Sequence, residues 1–287
     1  MSAAVALGLL AALGYGVADY LSRFAGRAVG MWRTMLYGEL FALLLLSAWM
    51  MLEPARSPPA FATHADAWYA ATGSALVLMA GTVFLFRGLM VGTLAVVAPV
   101  CASYGAITAA LSSVTGERLA GRAVTGLVVT ILGVCVVSIP ARAPLGAKPE
   151  SSGIGWALGA ALGFGVGFWW QGTYAVPVLG AFIPVWIYYA GGVCLLVLLS
   201  RPVGVRLVVP QGGALALVLA TGGLGVVGFI ALTLGFGTGE VGIVTVLSSL
   251  ASAVTVLLAR LANKSRISIH QWLALAAIIV GLVLIKT

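Results

Sequence analysis

The sequence predicts an all-α membrane protein: ten transmembrane helices forming two inverted-topology five-helix repeats around a central cavity. Composition is the first reason. Of 287 residues, 62% are hydrophobic and 8% are charged, against roughly 25% charged in an average soluble domain. So few charges cannot clothe a water-facing surface. Run length is the second reason, because apolar stretches near 20 residues match a hydrocarbon core of about 30 Å crossed at about 1.5 Å per residue. The alternation of a transmembrane barrel strand is absent. The third reason is self-similarity. Gly92 to Leu119 returns as Gly239 to Ser268 at an offset of 147 residues, and Leu13 to Val17 as Leu162 to Val166 at 149. Gly133 falls on Gly281 at 148. Three anchors in one order with nearly constant spacing define a repeat.

Ten spans follow, at 3–22, 31–52, 67–88, 93–114, 121–140, 153–174, 180–200, 211–235, 241–262 and 268–286. Residues 1–140 form the first repeat, 141–152 a polar linker and 153–287 the second repeat. An odd number of spans per repeat forces the second to enter the membrane in the opposite sense, the arrangement secondary transporters use to place a site on a pseudo-two-fold axis. Eleven Lys and Arg residues lie in connections 1–2, 3–4, 5–6, 7–8 and 9–10, against four on the other side. The basic side is expected in the cytoplasm, with both termini outside. The net charge of +8 is explained by this bias and calls for no nucleic acid. No basic region precedes the first apolar run, so no cleaved signal peptide is expected.

Taken in order, span 1 carries Tyr15 and Asp19, the latter one turn before Arg23. The pair reads either as a local ion pair near the interface or as a functional carboxylate. Span 2 places Glu39 deep in an apolar run. A charge there costs roughly 2.5–3.5 kcal/mol on insertion scales, so Glu39 is expected to face the bundle interior, to be protonated, or both, as a helix–helix contact or as a proton or cation site. Span 3 ends in Phe84, Leu85, Phe86 and Arg87, an interfacial belt or part of a lining. Pro99 in span 4 predicts a kink. Cys101, Gly105, Thr108 and Ser112 share one face of that span, and the repeat offset maps the first three onto Ser248, Ser252 and Thr255. Such a stripe serves close packing or a polar path.

Span 6 has glycine at 155, 159, 163 and 167, a flat edge for a neighbouring helix, then Phe168, Trp169, Trp170 and Gln171. These aromatics suit an interface belt or an aromatic vestibule. Gly223 and Gly225 in span 8 imply close packing or a hinge. Cys101, Cys135 and Cys194 sit in apolar spans without metal-type spacing. No Walker loop, zinc-protease motif or nucleophile elbow occurs. No cofactor, no metal and no enzymatic activity are expected.

The paired five-span halves, the run ending in Gly116-Glu117-Arg118-Leu119 and the tail from Gln271 to Thr287 resemble the ten-helix EamA-type exporters of the drug/metabolite transporter superfamily. The aromatic spans 6 and 7 resemble those of its aromatic amino-acid exporters. One departure is Asn263-Lys264-Ser265-Arg266, where the family often repeats Gly-Glu-Arg. The resemblance implies a secondary transporter in a bacterial inner membrane, exporting amino acids or similar amphipathic metabolites by alternating access. Tyr15, Phe84, Tyr104, Trp169, Gln171, Ser248 and Ser252 are the expected substrate contacts. Asp19 and Glu39 are the expected coupling residues, and Pro99, Gly223 and Gly225 the expected hinges. A functional monomer with a small-molecule substrate and membrane lipid as its partners is expected. Two alternatives stay open: a proton-coupled multidrug exporter, and an intramembrane enzyme or lipid flippase.

Overall fold

The computed structural model describes residues 2–52, 60–92, 94–117, 121–138 and 152–262, together with residues 273, 276, 277, 280, 281 and 284. Every element is helical apart from short turns. The first half holds α1 (Ala3–Val29), α2 (Met31–Leu52), α3 (Ala65–Val91), α4 (Leu94–Ala102), α5 (Tyr104–Val114) and α6 (Gly121–Ser138). The second holds α7 (Ser152–Trp170), a π-helical turn (Gln171–Ala175), α8 (Val176–Leu179), α9 (Phe182–Ser200), α10 (Gly212–Phe236), α11 (Val241–Ser248) and α12 (Ala251–Ala262). Among the described residues, seven stretches are long and apolar enough to cross a membrane, and two shorter apolar helices accompany them. The linker at 141–151 and most of the tenth span lie outside the described residues.

Several boundaries differ from expectation for local reasons. The first span runs seven residues further, to Val29, because Arg23 and Arg27 are accommodated on its exposed surface and only Gly30, at φ 85°, ends the helix. Spans 4 and 9 are each broken in two. The first break is at Ser103, between α4 and α5, and the second at Ser249 and Leu250, between α11 and α12. Pro99 precedes only the first of these. Serine hydroxyls flank both breaks: Ser103 donates to the Val100 carbonyl at 2.7 Å, Ser248 to Thr245 at 2.8 Å and Ser249 to Val246 at 2.6 Å. Such back-bonding competes with the helical ladder and bends helices. The hinge expected at Gly223 and Gly225 is not there, since α10 is continuous through both.

Glycine sets the packing. In lipid, helices gain little from hiding apolar surface and associate through close backbone approach. α1 crosses α10 at Gly14 and Gly228, where a Cβ built on Gly14 would lie 2.8 Å from the Gly228 Cα. α3 crosses α7 at Gly81 and Gly163, where a Cβ on Gly163 would lie 2.8 Å from the Gly81 Cα. Two residues further on, across the helix, the same match recurs. Thr255 donates its hydroxyl to the Gly16 carbonyl at 2.9 Å, and Thr108 donates to the Gly165 carbonyl at 2.9 Å. Gly88 meets Val97 as Gly235 meets Val244. Each pair of contacts is related by a sequence shift of 147 to 149 residues.

The glycine edge of α7 is used as the sequence predicts, with one exception. Gly159 faces the Phe84 ring, Gly163 faces Gly81 and Gly167 faces Leu78, whereas Gly155 has nothing within 4 Å. This contrast yields a test. Gly14→Val and Gly163→Val should each cost roughly 1–3 kcal/mol through overpacking, lowering the unfolding temperature of the purified protein in detergent. Gly155→Val, facing open space, should leave it nearly unchanged.

Candidate functional site

A cavity of about 190 Å³ lies between the halves, lined by α1, α2, α3, α4, α5, α7, α9, α10 and α12. Its lining on α1 includes Tyr15, Asp19 and Ser22, and on α2 it includes Thr34, Gly38 and Glu39. These residues lie toward the Gly30 turn, the end where Arg33 donates from Nε to the Arg206 carbonyl at 3.0 Å and Trp32 donates to the Leu196 carbonyl at 3.1 Å. The cavity is thus displaced toward the face carrying the basic connections. On its other side stand packed rings. Phe168 contacts Tyr104, Phe164, Phe229 and Phe236 with ring centroids 5.6 to 6.3 Å apart.

The seal beyond those rings is α11. All eight of its residues are buried, which sets this stretch apart from the other candidate spans, in each of which fewer than half the residues are buried. Two contacts from the first half hold it. Tyr104 on α5 shares a hydrogen bond with the Ser248 hydroxyl at 3.0 Å. Glu117, just past the positive-φ Gly116, accepts the Gly242 amide proton at 2.8 Å. A helix has unsatisfied amides at its N-terminus, and a carboxylate there satisfies a donor and complements the dipole. The Gly-Glu-Arg turn of one half therefore caps the helix start of the other. Burial raises the Glu117 carboxyl above its ordinary range, and the Gly242 and Ile243 amides pull it part of the way back.

The expected site residues divide. Tyr15, Asp19, Glu39, Tyr104, Ser252 and Gly225 line the cavity. Asp19 forms no ion pair with Arg23 among the described residues; instead its main-chain carbonyl accepts the Ser22 hydroxyl at 2.8 Å. Glu39 is 7% exposed, and its Oε2 has no hydrogen-bond partner. Ser248 lies behind Tyr104 rather than on the lining.

Three expected contacts and one expected hinge lie elsewhere. Phe84 packs on Trp156 at 5.7 Å, away from the cavity. Trp169 turns outward, stacking edge-on with Tyr174 at 5.7 Å and donating to the Thr115 hydroxyl at 3.1 Å. Gln171 opens the π-helical turn, fully buried, with both amide atoms unpartnered. It is a packing feature beside the seal, not part of the lining. Gly223 contacts only Phe41, at 3.4 Å from a built Cβ. The side chain of Pro99 lies outside the described residues. The physical reason is rotation: the face each residue turns to the cavity is set by packing against neighbouring helices, as Phe84 is drawn onto the Gly159 edge of α7, and periodicity alone does not show it.

Sequence reasoning missed Tyr188 and Tyr189 as lining residues. They pack edge-on at 5.1 Å and each meets Phe229, at 5.2 and 6.1 Å. Tyr188 also shares a hydrogen bond with the Thr82 hydroxyl at 2.8 Å. The available signal was the pairing of two polar-tipped aromatics deep in an otherwise apolar span.

The sequence model of the EamA-like transporter family matches residues 2–139. The fold is similar to a crystal structure described only as that of a protein, with a TM-score of 0.80 and 20% identity over 99% of this chain and 98% of that one. At that identity the likeness speaks for the fold alone. None of the curated proteins matches the sequence.

The cap on α11 is directly testable. Removing a buried charge-assisted acceptor and leaving its amide donor unpaired costs roughly 1–3 kcal/mol. Glu117→Ala should lower the unfolding temperature in detergent, and Glu117→Gln, which keeps an acceptor oxygen, should recover part of the loss.

Proposed function

We propose, from the match of residues 2–139 to the EamA-like transporter family, that the protein exports small amphipathic metabolites by alternating access. It is an integral multi-pass membrane protein; its Lys and Arg bias supports both termini outside, and its resemblance to the exporters supports a bacterial inner membrane. One observation carries the reading: an amphipathic cavity sits between the halves, bounded on one side by aromatic rings and a buried helix. A site reached from one face and closed from the other is one state of an alternating-access cycle.

The paired contacts at Gly14–Gly228 and Gly81–Gly163 support the inverted-topology repeat, in which the halves rock about the α5–α11 contact. A repeat that builds its own axis needs no second copy, so the working unit is a monomer. The cavity volume of about 190 Å³ falls below the roughly 300–1,000 Å³ of drug-sized pockets, which favours metabolites, amino acids among them, over bulky drugs.

A second reading, proton-coupled drug export, is favoured by a different observation, the buried Glu39 with one unpartnered oxygen. Proteoliposomes given a labelled amino-acid panel, with and without a pH gradient, separate the two. Saturable uptake unaffected by the gradient is the expected result. Gradient-driven uptake lost in Glu39→Gln would establish coupling, and no uptake of any amino acid would remove them as substrates.

A further inference from the structure

The glycine and threonine contacts that repeat at 147 to 149 residues let the cavity wall of one half be matched to the other. α1 corresponds to α7 at an offset of 149, and α3, α4 and α5 correspond to α10, α11 and α12 at 147. Lining residues then fall into two groups. In the first group both members of a pair line the cavity, as with Tyr15 and Phe164, Thr82 and Phe229, and Ala102 and Ser249. These pairs mark its centre.

In the second group only the first-half member does. Ser22, Leu85, Phe86, Leu89, Ala98 and Cys101 line the cavity. Their counterparts are Gln171, Leu232, Thr233, Phe236, Thr245 and Ser248, which lie off the lining and are each at most 1% exposed. The helices carrying these counterparts meet at one place. A Cβ built on Gly172 would lie 2.8 Å from Val241 Cγ1 and 3.1 Å from Phe236 Cδ2, joining the π turn to the end of α10 and the start of α11.

A seal needs only apolar packing, yet four of the six buried counterparts are polar. Three are hydroxyls that turn back on their own helices, Thr233 to the Phe229 carbonyl at 3.0 Å, Thr245 to Val241 at 2.7 Å and Ser248 to Thr245 at 2.8 Å. Gln171 has no such recourse, and both of its amide atoms lack a hydrogen-bond partner among the described residues. A buried amide that forgoes its bonds is costly. It stands in a π turn, a rare feature concentrated at functional sites.

We infer that these counterparts line a second mouth on the face now sealed, with Gln171 as its polar anchor. The inference rests on the alternating-access reading and names the exit which that reading requires. In the present state Gln171 only packs beside the seal. When α10 and α11 part from α7, its amide gives and accepts hydrogen bonds with water and with uncharged polar groups of the departing solute. None of the six residues is ionisable, so they hold the solute by hydrogen bonds and apolar contact alone.

Thiol labelling tests this in a chain carrying Cys101→Ala, Cys135→Ala and Cys194→Ala. Single cysteines are introduced as Ser22→Cys and Phe86→Cys, as the counterparts Gln171→Cys and Thr233→Cys, and as Ala160→Cys. Ala160 is the control, because it and its counterpart Ala11 are both fully buried away from the cavity. A membrane-impermeant charged methanethiosulfonate is added to spheroplasts and to inverted vesicles. Ser22→Cys and Phe86→Cys should react from one side and Gln171→Cys and Thr233→Cys from the other. Each should react at least about tenfold faster than Ala160→Cys, since even a state populated at roughly 0.1–10% exposes its mouth. Adding Glu117→Ala, which removes the cap on α11, should speed Gln171→Cys and slow Ser22→Cys. A Gln171→Cys rate no greater than that of Ala160→Cys, or labelling of both mouths from the same side, would overturn the inference. Silence of Ser22→Cys and Phe86→Cys would overturn it too, because the pairing starts from them.

Gln171→Leu provides a second measurement with every native cysteine in place. Exchanging an unpartnered amide for an apolar group of similar size should raise the unfolding temperature in detergent. Uptake of whichever labelled amino acid the unaltered chain moves should fall about tenfold, the rate equivalent of one lost hydrogen bond. A raised unfolding temperature with unchanged uptake would reduce Gln171 to packing and defeat the anchor, as would a lowered one. Labelling needs no substrate, so the two readings fail separately. Labelling of Gln171→Cys from the far side without movement of any solute would defeat export and leave the second mouth standing. Movement of solute while Gln171→Cys stays unlabelled would defeat the mouth and leave export standing.

Discussion

Close backbone contact at glycine is what the rest of this molecule depends on. Lipid offers helices no hydrophobic reward for meeting, so dispersion between closely opposed backbones and a few carbonyl-directed hydrogen bonds must hold the bundle. Gly14 against Gly228 and Gly81 against Gly163 bring α1 onto α10 and α3 onto α7. Thr255 and Thr108 then close on the Gly16 and Gly165 carbonyls from the broken helices. These four positions fix where α5 and α12 sit, hence where the cavity wall lies. A side chain at any of the glycines would push the helices apart and move the wall with them.

The second constraint is the polar cost of the broken helices. Breaking a helix in a membrane frees backbone groups that water cannot satisfy. Here serine hydroxyls turn back onto carbonyls of the same turn, and Glu117 reaches across from the other half to an amide of α11. The helix that plugs the closed face is therefore held by a charge from the opposite half. Movement of one half relative to the other must either carry this contact along or exchange it, which ties the closed face to the relative position of the halves.

Inside the cavity the balance of charge decides what is welcome. Two carboxyl groups and a cluster of tyrosine and phenylalanine faces make an acidic, polarizable surface, with no Lys, Arg or His among the described lining residues. Glu39 is tolerated at this depth because Gly192 leaves space beside it and because it faces the cavity rather than lipid. The pairing of Tyr188 with Thr82 orients one ring of that surface and keeps its hydroxyl occupied.

Much of this was legible in the residues. Lipid as solvent and the helical spans follow from composition and run length, because each is a property of the chain in one dimension. Glu39 and Asp19 were legible as interior groups because charge in hydrocarbon admits few alternatives. The glycine edge of α7 was legible because helical periodicity puts residues four apart on one face. The rotation of each helix about its own axis was not. Phe84 on the continuous α3, Trp169 on α7 and Gln171 in the π turn went to packing surfaces, while Tyr188 and Tyr189 on α9 came to the cavity. Such shifts arise from backbone bonds made between helices and across halves, the Gly242 amide to Glu117 among them. By itself the sequence determined the solvent, the elements and the chemical character available to a site. Only the tertiary structure decided which of those groups meet, because helix rotation is set by contacts between segments over one hundred residues apart.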